Sequence, residues 1–291
     1  CDRWHGCISR CAERDAVCNE RRCGNFEITI GAGGIAGNVY LLSAWKRAEV
    51  AVILKILSRL LLGVTVICIA LVLLLRWINP TTSAVIIAWE LESGRSARHQ
   101  WRSLQAISPQ LQIAVIASED QKFPDHFGFD FKSIRQSLGE SGDRPRGAST
   151  ISQQVAKNLF LWNGRSYFRK ALEACFTALI EILWPKQRIL EVYLNIAEFG
   201  EGIYGAEAAA QKFYRQPAQR IGSWQAALLA AVLPNPKNLS AERPSAYVRE
   251  RASAITVQIR RLGGVGYLGK IKKAAGSTEK TAYPIDENIF L

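Results

Sequence analysis

The 291-residue chain contains no methionine and only three histidines, and its 25 acidic side chains fall well short of its 37 basic ones. With histidine so scarce, a metal centre would have to rest on cysteine. Cys1, Cys7, Cys11, Cys18 and Cys23 crowd into the first 23 residues with only His5 nearby, while Cys68 and Cys175 stand alone. That segment has no hydrophobic period and no accompanying small domain, so neither a disulfide framework nor a zinc site is expected there. The missing methionine and the cysteine start mark residues 1–45 as an upstream extension or a non-native start, expected to be disordered and set apart from the fold. Internal repeats are also lacking. Hydrophobic residues at 48% and charged residues at 21% exclude both a mainly disordered chain and a polytopic membrane protein. The acid deficit leaves a formal charge of +12, which points to anionic partners: nucleic acid, phosphorylated ligands or an acidic membrane surface. Composition alone does not choose among them.

One long uncharged run is present. Leu60 to Leu75 would span about 24 Å as a helix, Trp77 and Ile78 extend it, and Arg59 and Arg76 can snorkel from its ends. The pattern predicts a single membrane anchor over residues 50–78. Lys46, Arg47, Lys55 and Arg59 precede it, so the positive-inside bias places the N-terminus in the cytoplasm and exports the C-terminal part of the chain. From Pro80 onward the periodicity is helical, giving an all-α or nearly all-α domain over residues 80–265. Ser108-Pro109 opens a helix running to Glu119; Thr150–Leu161, Phe168–Leu183 and Arg188–Phe199 read as helices; Ser223 caps an Ala/Leu helix ending at Pro234. Residues 266–291 lack a packing period and read as a loose tail.

Three polar clusters interrupt this pattern. In Glu119-Asp120-Gln-Lys-Phe123-Pro-Asp-His126 a carboxylate ends an apolar helix, where burial would raise its pKa towards a range useful in proton transfer. A solvated acidic pair at a helix end is the plainer alternative. In Gly147-Ala-Ser149-Thr150-Ile-Ser-Gln153-Gln154-Val-Ala-Lys157, hydroxyls and amides lead into a helix and offer donors to an anionic or sugar ligand, or simply cap it. In Arg165-Ser-Tyr-Phe-Arg169-Lys170-Ala-Leu-Glu173, three cations and a carboxylate suit a diphosphate, or a solvated helix start.

In order and wording the three clusters resemble the signature of glycosyltransferase family 51, and the chain resembles its monofunctional peptidoglycan transglycosylases from about Ile107 to Gly264. Further matching runs are Ile189 to Asn195, Glu198 to Ala210 and Ala226 to Pro236. The resemblance implies a lysozyme-like helical domain on the outer face of the inner membrane that polymerises lipid II into a growing glycan strand. It makes Glu119 the general base and Glu173 a second carboxylate beside the departing diphosphate, assisted by a divalent cation (Mg or Mn) or by a positioned cationic side chain. Lys157 and Arg165 would hold donor phosphates, within a polar shell of Ser149, Gln153, Gln154, Arg169 and Lys170. Asp120, Phe123 and His126 would shape the first motif. Partners would be lipid II, the glycan strand, the membrane and division or elongation proteins, with no nucleic acid. Pro185 stands where the family commonly has a polar residue. No transpeptidase domain is expected, because the Ser-x-x-Lys matches at Ser43 and Ser277 fall outside the helical domain. A lysozyme-like lytic enzyme and a non-catalytic membrane scaffold are the rival readings.

Overall fold

The computed structural model describes residues 36–131, 135, 149–164 and 166–271, with side chains from residue 50 onward. It divides after Leu62 into two units. Helix α1, Ala36–Leu74, begins in the first unit and ends in the second. Its start corrects the expected disorder through residue 45: good helix formers around Leu41, Leu42 and Ala44 run straight into the apolar stretch, and helix propagates once nucleated. Residues 1–35, with their cysteines, lie outside the described residues. From Val50 to Leu74, 25 residues, α1 is long and apolar enough to cross a membrane. At 1.5 Å per residue that length is about 37 Å, against roughly 30 Å of hydrocarbon. Leu60, Leu61, Leu62 and Ile67 are all largely exposed, and a helix apolar on every side needs a covering of lipid or protein.

Within the second unit, the last turn of α1 is received by side chains from far along the sequence. Its carbonyls would otherwise have no partner within the helix. Trp184 Nε1 donates to Val72 O at 2.7 Å, and Arg188 Nη2 donates to Leu75 O at 2.9 Å and to Ile78 O at 2.8 Å. Arg188 Nη1 also reaches Asn79 Oδ1 at 2.7 Å and Glu191 Oε1 at 2.5 Å. In return Arg76 Nη1 donates to Leu183 O at 2.6 Å.

The helical domain is built round α3, Pro109–Glu119, capped by Ser108 and opened by Pro109 at its first turn. Leu111, Ile113, Ala114, Val115 and Ile116 are fully buried, so α3 is enclosed on all sides. Each such aliphatic side chain contributes about 1.5–3 kcal/mol when buried. Two helices cover it: α8, Ser223–Val232, whose small Ala/Leu surface allows close approach, and α9, Ala246–Leu262. The sequence put Ser223 at the cap of α8. The cap position is instead Gly222, whose amide is taken by Gln225 Oε1 at 3.1 Å. Helices α4 (Ile151–Phe160), α5 (Tyr167–Leu183) and α6 (Lys186–Ile196) carry the other polar clusters, with Pro185 at the N-cap of α6. Two further helices, α2 (Ala84–Ser93) and α7 (Ala206–Tyr214), complete the set among the described residues.

The domain is not purely helical. Strands β1 (Arg98–His99), β2 (Glu198–Gly200) and β3 (Ile203–Tyr204) form a three-stranded sheet in the order β1-β3-β2, parallel between β1 and β3 and antiparallel between β2 and β3. Gly205, at φ +87°, follows β3; a Cβ there would lie 2.6 Å from Asn195 O, so the turn into α7 admits only glycine. The expected loose tail also begins too early at residue 266. Tyr267 and Ile271 are buried, and Tyr267 donates its hydroxyl hydrogen to Gln121 O at 2.7 Å, which ties this segment to the first polar cluster. Residues 272–291 lie outside the described residues.

Candidate active site

Glu119 is the last residue of α3, so the helix that fills the core also delivers a carboxylate to its edge. Gln154 Nε2 donates to Glu119 Oε2 at 3.2 Å, and Ser118 Oγ donates to Oε1 at 3.0 Å. Tyr193 donates its hydroxyl hydrogen to Gln154 Oε1 at 3.1 Å, fixing the amide orientation so that its NH₂ faces the carboxylate. Burial pushes the Glu119 carboxyl above the ordinary range; the Gln154 and Ser118 hydrogen bonds and the Arg251 charge oppose this without cancelling it. Burial likewise holds the Tyr193 phenol far above its usual range, with the Glu119 charge adding to it, so Tyr193 remains a neutral donor.

Asp120, Phe123 and His126 of the first cluster are engaged by protein groups. Asp120 is buried, accepting from His126 Nε2 at 2.9 Å and from the Ile151 amide at 3.0 Å. The second bond joins the end of α3 to the start of α4. Phe123 is fully buried beneath the Lys186 ammonium, 4.6 Å from its ring centre. Lys186 Nζ also donates to His126 O at 2.7 Å and to Glu181 at 2.8 Å, and Glu181 accepts from Ser152. Gly128, at φ +78°, closes this knot: a Cβ there would lie 2.9 Å from side-chain carbons of both Glu181 and Thr177.

The second cluster separates two adjacent amides. Gln153, expected in the substrate shell, is buried in the cap of α4: its Oε1 accepts from the Thr150 amide at 3.0 Å while Thr150 Oγ1 accepts from the Gln153 amide at 3.2 Å. That reciprocal pair is a capping box, the structural work this glutamine does in the protein. Gln154, one position on, turns to Glu119. Ser149 is exposed ahead of the cap. Lys157 lines a cavity of about 220 Å³ together with Gln154, Asn158, Tyr193, Glu198 and Trp89. Burial lowers the Lys157 pKa, while the charges of Glu173 and Glu119 raise it; the lysine lies within electrostatic reach of both carboxylates.

Glu173 is buried on α5. Arg169 Nη1 donates to its Oε2 at 2.9 Å and Lys170 donates to its Oε1. Arg169 is anchored in turn by Nε to Gly164 O at 2.7 Å. Lys170 is half exposed, Arg169 nearly covered. Arg165 lies outside the described residues. With both Glu173 oxygens taken by cationic side chains, and no group of three His, Cys, Asp or Glu side chains placed to hold a metal among the described residues, the donor set does not fit a resident divalent cation.

Sequence reading missed three residues. Tyr193 fell on the apolar face of α6 and read as core; Arg251 sits in a charged helix without a motif; Glu198 was one letter of a matching run. Arg251 Nη2 donates to Ser118 Oγ at 3.2 Å and lies 3.8 Å from Glu119 Oε1. Glu198 borders the cavity, its pKa raised by burial and lowered by the Gly202 amide and the Lys237 charge. The hydroxyl of Tyr193 was the one detectable signal, since a fully buried tyrosine usually finds a partner for its O–H.

The helical domain holds one largely buried carboxylate against Gln154, which lines the cavity, and a second carboxylate paired with two cations, with Lys157 within electrostatic reach of both; the arrangement suits an enzyme that transfers glycosyl groups. The chain belongs to the transglycosylase family, whose pattern it matches over residues 86–260. It is 55% identical over 223 residues to the biosynthetic peptidoglycan transglycosylase of Stutzerimonas stutzeri strain A1501, covering 74% of this chain and 92% of that one. It is 56% identical over 205 residues to that of Xanthomonas campestris pv. campestris strain B100, covering 68% and 83%. With the Pseudomonas fluorescens protein of the same description, identity is 52% over 211 residues, covering 70% and 88%.

Proposed function

We propose that this chain is a peptidoglycan glycosyltransferase that polymerises lipid II at the surface of the membrane its N-terminal helix crosses. The largely buried Glu119, held by the cavity-lining Gln154, carries this reading. Glu119 takes the proton of the acceptor sugar's 4-hydroxyl; the oxygen attacks the anomeric carbon of the donor with inversion; the bond from that carbon to the diphosphate breaks, and the electron pair leaves with the diphosphate. A carboxylate raised by burial is the stronger base for this step, and a positioned base contributes about 10²–10⁴-fold. Lys157, Arg169 and Lys170 neutralise the charge that grows on the leaving diphosphate, with Arg165 assigned the same role by its place in the third motif. The cations favour synthesis over lysis, since hydrolysis of a glycan strand releases no diphosphate. The anchor suits substrates that are themselves held in a bilayer, with the N-terminus on the cytoplasmic side and the catalytic domain on the other.

Incubating the detergent-solubilised protein with labelled lipid II tests this. Polymer ladders with release of the carrier diphosphate are expected, and Glu119→Gln should abolish both while leaving lipid II binding and the thermal midpoint near wild type. Shortened sacculi without polymer from lipid II would instead establish a lytic enzyme.

A further inference from the structure

Arg251 lies outside every motif that the site was built from, yet its guanidinium comes within 3.8 Å of the carboxylate assigned as base. It projects from α9, which packs on the same helix whose last residue is Glu119. Its Nη2 donates to Ser118 Oγ at 3.2 Å, and Ser118 Oγ lies 3.0 Å from Glu119 Oε1. The hydroxyl thus accepts from the cation on one side and directs its own hydrogen to the carboxylate on the other; Ala230 O, at 3.3 Å, is its more distant alternative. Arg251 Nε is buried with no hydrogen-bond partner among the described residues. A buried donor left without a partner is rare in a native protein, and packing alone does not account for it.

We propose that Arg251 is a positioning residue for Glu119: directly and through Ser118 it fixes Oε1 and balances the carboxylate's negative charge, so that the base is ionised when the acceptor sugar arrives. The inference rests on Glu119 being the base. The other groups facing that carboxylate do different work. From α4, Gln154 orients the second oxygen and Lys157 acts at longer range; from α6, Tyr193 is neutral; on its own segment, Asp120 is repulsive. Arg251 is the cation nearest to Oε1 among the described residues, and it is 30% exposed while Glu119 is 13% exposed. Its influence therefore crosses partly dry protein rather than bulk water. Once Glu119 has taken the proton, the same charge disfavours keeping it and returns the base to its ionised form for the next transfer.

The test is the pH dependence of carrier-diphosphate release from lipid II by the full chain in detergent, for wild type, R251M, R251K, S118A and E119Q. Loss of the Arg251 charge should move the acid limb of R251M about one pH unit upward, roughly tenfold lower rates on the acid side, with the alkaline plateau kept within about threefold. R251K should bring the limb back towards wild type, and S118A should move it in the same direction as R251M by less. An R251M limb that stays in place, or a rate lowered equally at every pH, would overturn the proposal. Should R251M fail to fold, S118A decides: a limb shifted upward supports the relay, an unmoved one refutes it. E119Q separates this outcome from failure of the base assignment, which would be shown by E119Q turning over at the wild-type rate, whatever R251M does.

Discussion

On an α-helix, adjacent side chains point about 100° apart, and Gln153 and Gln154 show the consequence for a pair that spacing cannot tell apart. One completes the cap of α4; the other is clamped between Tyr193 and the base. Lys157 lies one turn beyond Gln153 and faces the cavity, within reach of both carboxylates. Removing its ammonium takes away charge stabilisation that matters most when the diphosphate departs. Lys157→Ala should therefore lower kcat/KM for lipid II by about 10²-fold, with kcat falling at least as much as KM rises. Steady-state kinetics at saturating substrate check this, and unchanged constants would remove lysine from the reaction. Glu119, Glu173 and Lys157 stood out in the sequence because the three clusters that hold them resemble a known signature. Tyr193 and Arg251 were not, since a tyrosine on an apolar stripe and an arginine on a charged helix look like ordinary core and ordinary surface.

Helix boundaries followed the same logic of local chemistry. The openings of α3 and α4 were readable from Ser108-Pro109 and Thr150, because caps are short-range devices. The sheet was not readable: its strands are two or three residues long, too short to show alternation, and β1 pairs with β3 across a long stretch of sequence. The cap of α4 matters beyond its own helix, since Asp120 also binds the Ile151 amide and Thr150 Oγ1 donates to Gly128 O at 2.7 Å. Thr150→Ala should cost about 1–2 kcal/mol, the upper part of the range for N-cap loss, and lower the thermal midpoint measured by scanning fluorimetry. Gly128→Ala should cost more, because its Cβ meets two packed side chains and its φ is positive. If both variants melt with wild type, the knot beneath the site is not a determinant of stability.

At the scale of the whole chain, membrane anchor and catalytic domain are often pictured as separable. The end of α1 argues against cutting between them just anywhere. Arg188, buried against Trp101 and Trp184, takes much of its hydrogen bonding from Leu75, Ile78 and Asn79. Deleting residues 1–62 leaves those partners in place and should preserve the thermal midpoint in detergent. Deleting residues 1–80 leaves the guanidinium with Glu191 alone and should lower the midpoint by several degrees, because each buried donor left unmade costs about 1–3 kcal/mol. Equal melting of the two truncated proteins would show that the guanidinium is indifferent to the helix end.

Glu173 adds one consequence for turnover. Its carboxylate already sits where Arg169 and Lys170 would otherwise greet an incoming anion. If those cations receive the diphosphate as proposed, a vacant enzyme keeps an internal stand-in for its cargo, so the cationic seat neither repels itself nor grips stray phosphate. The spent lipid carrier must then compete with that resident tenant, which hastens its departure and readies the seat for the next monomer.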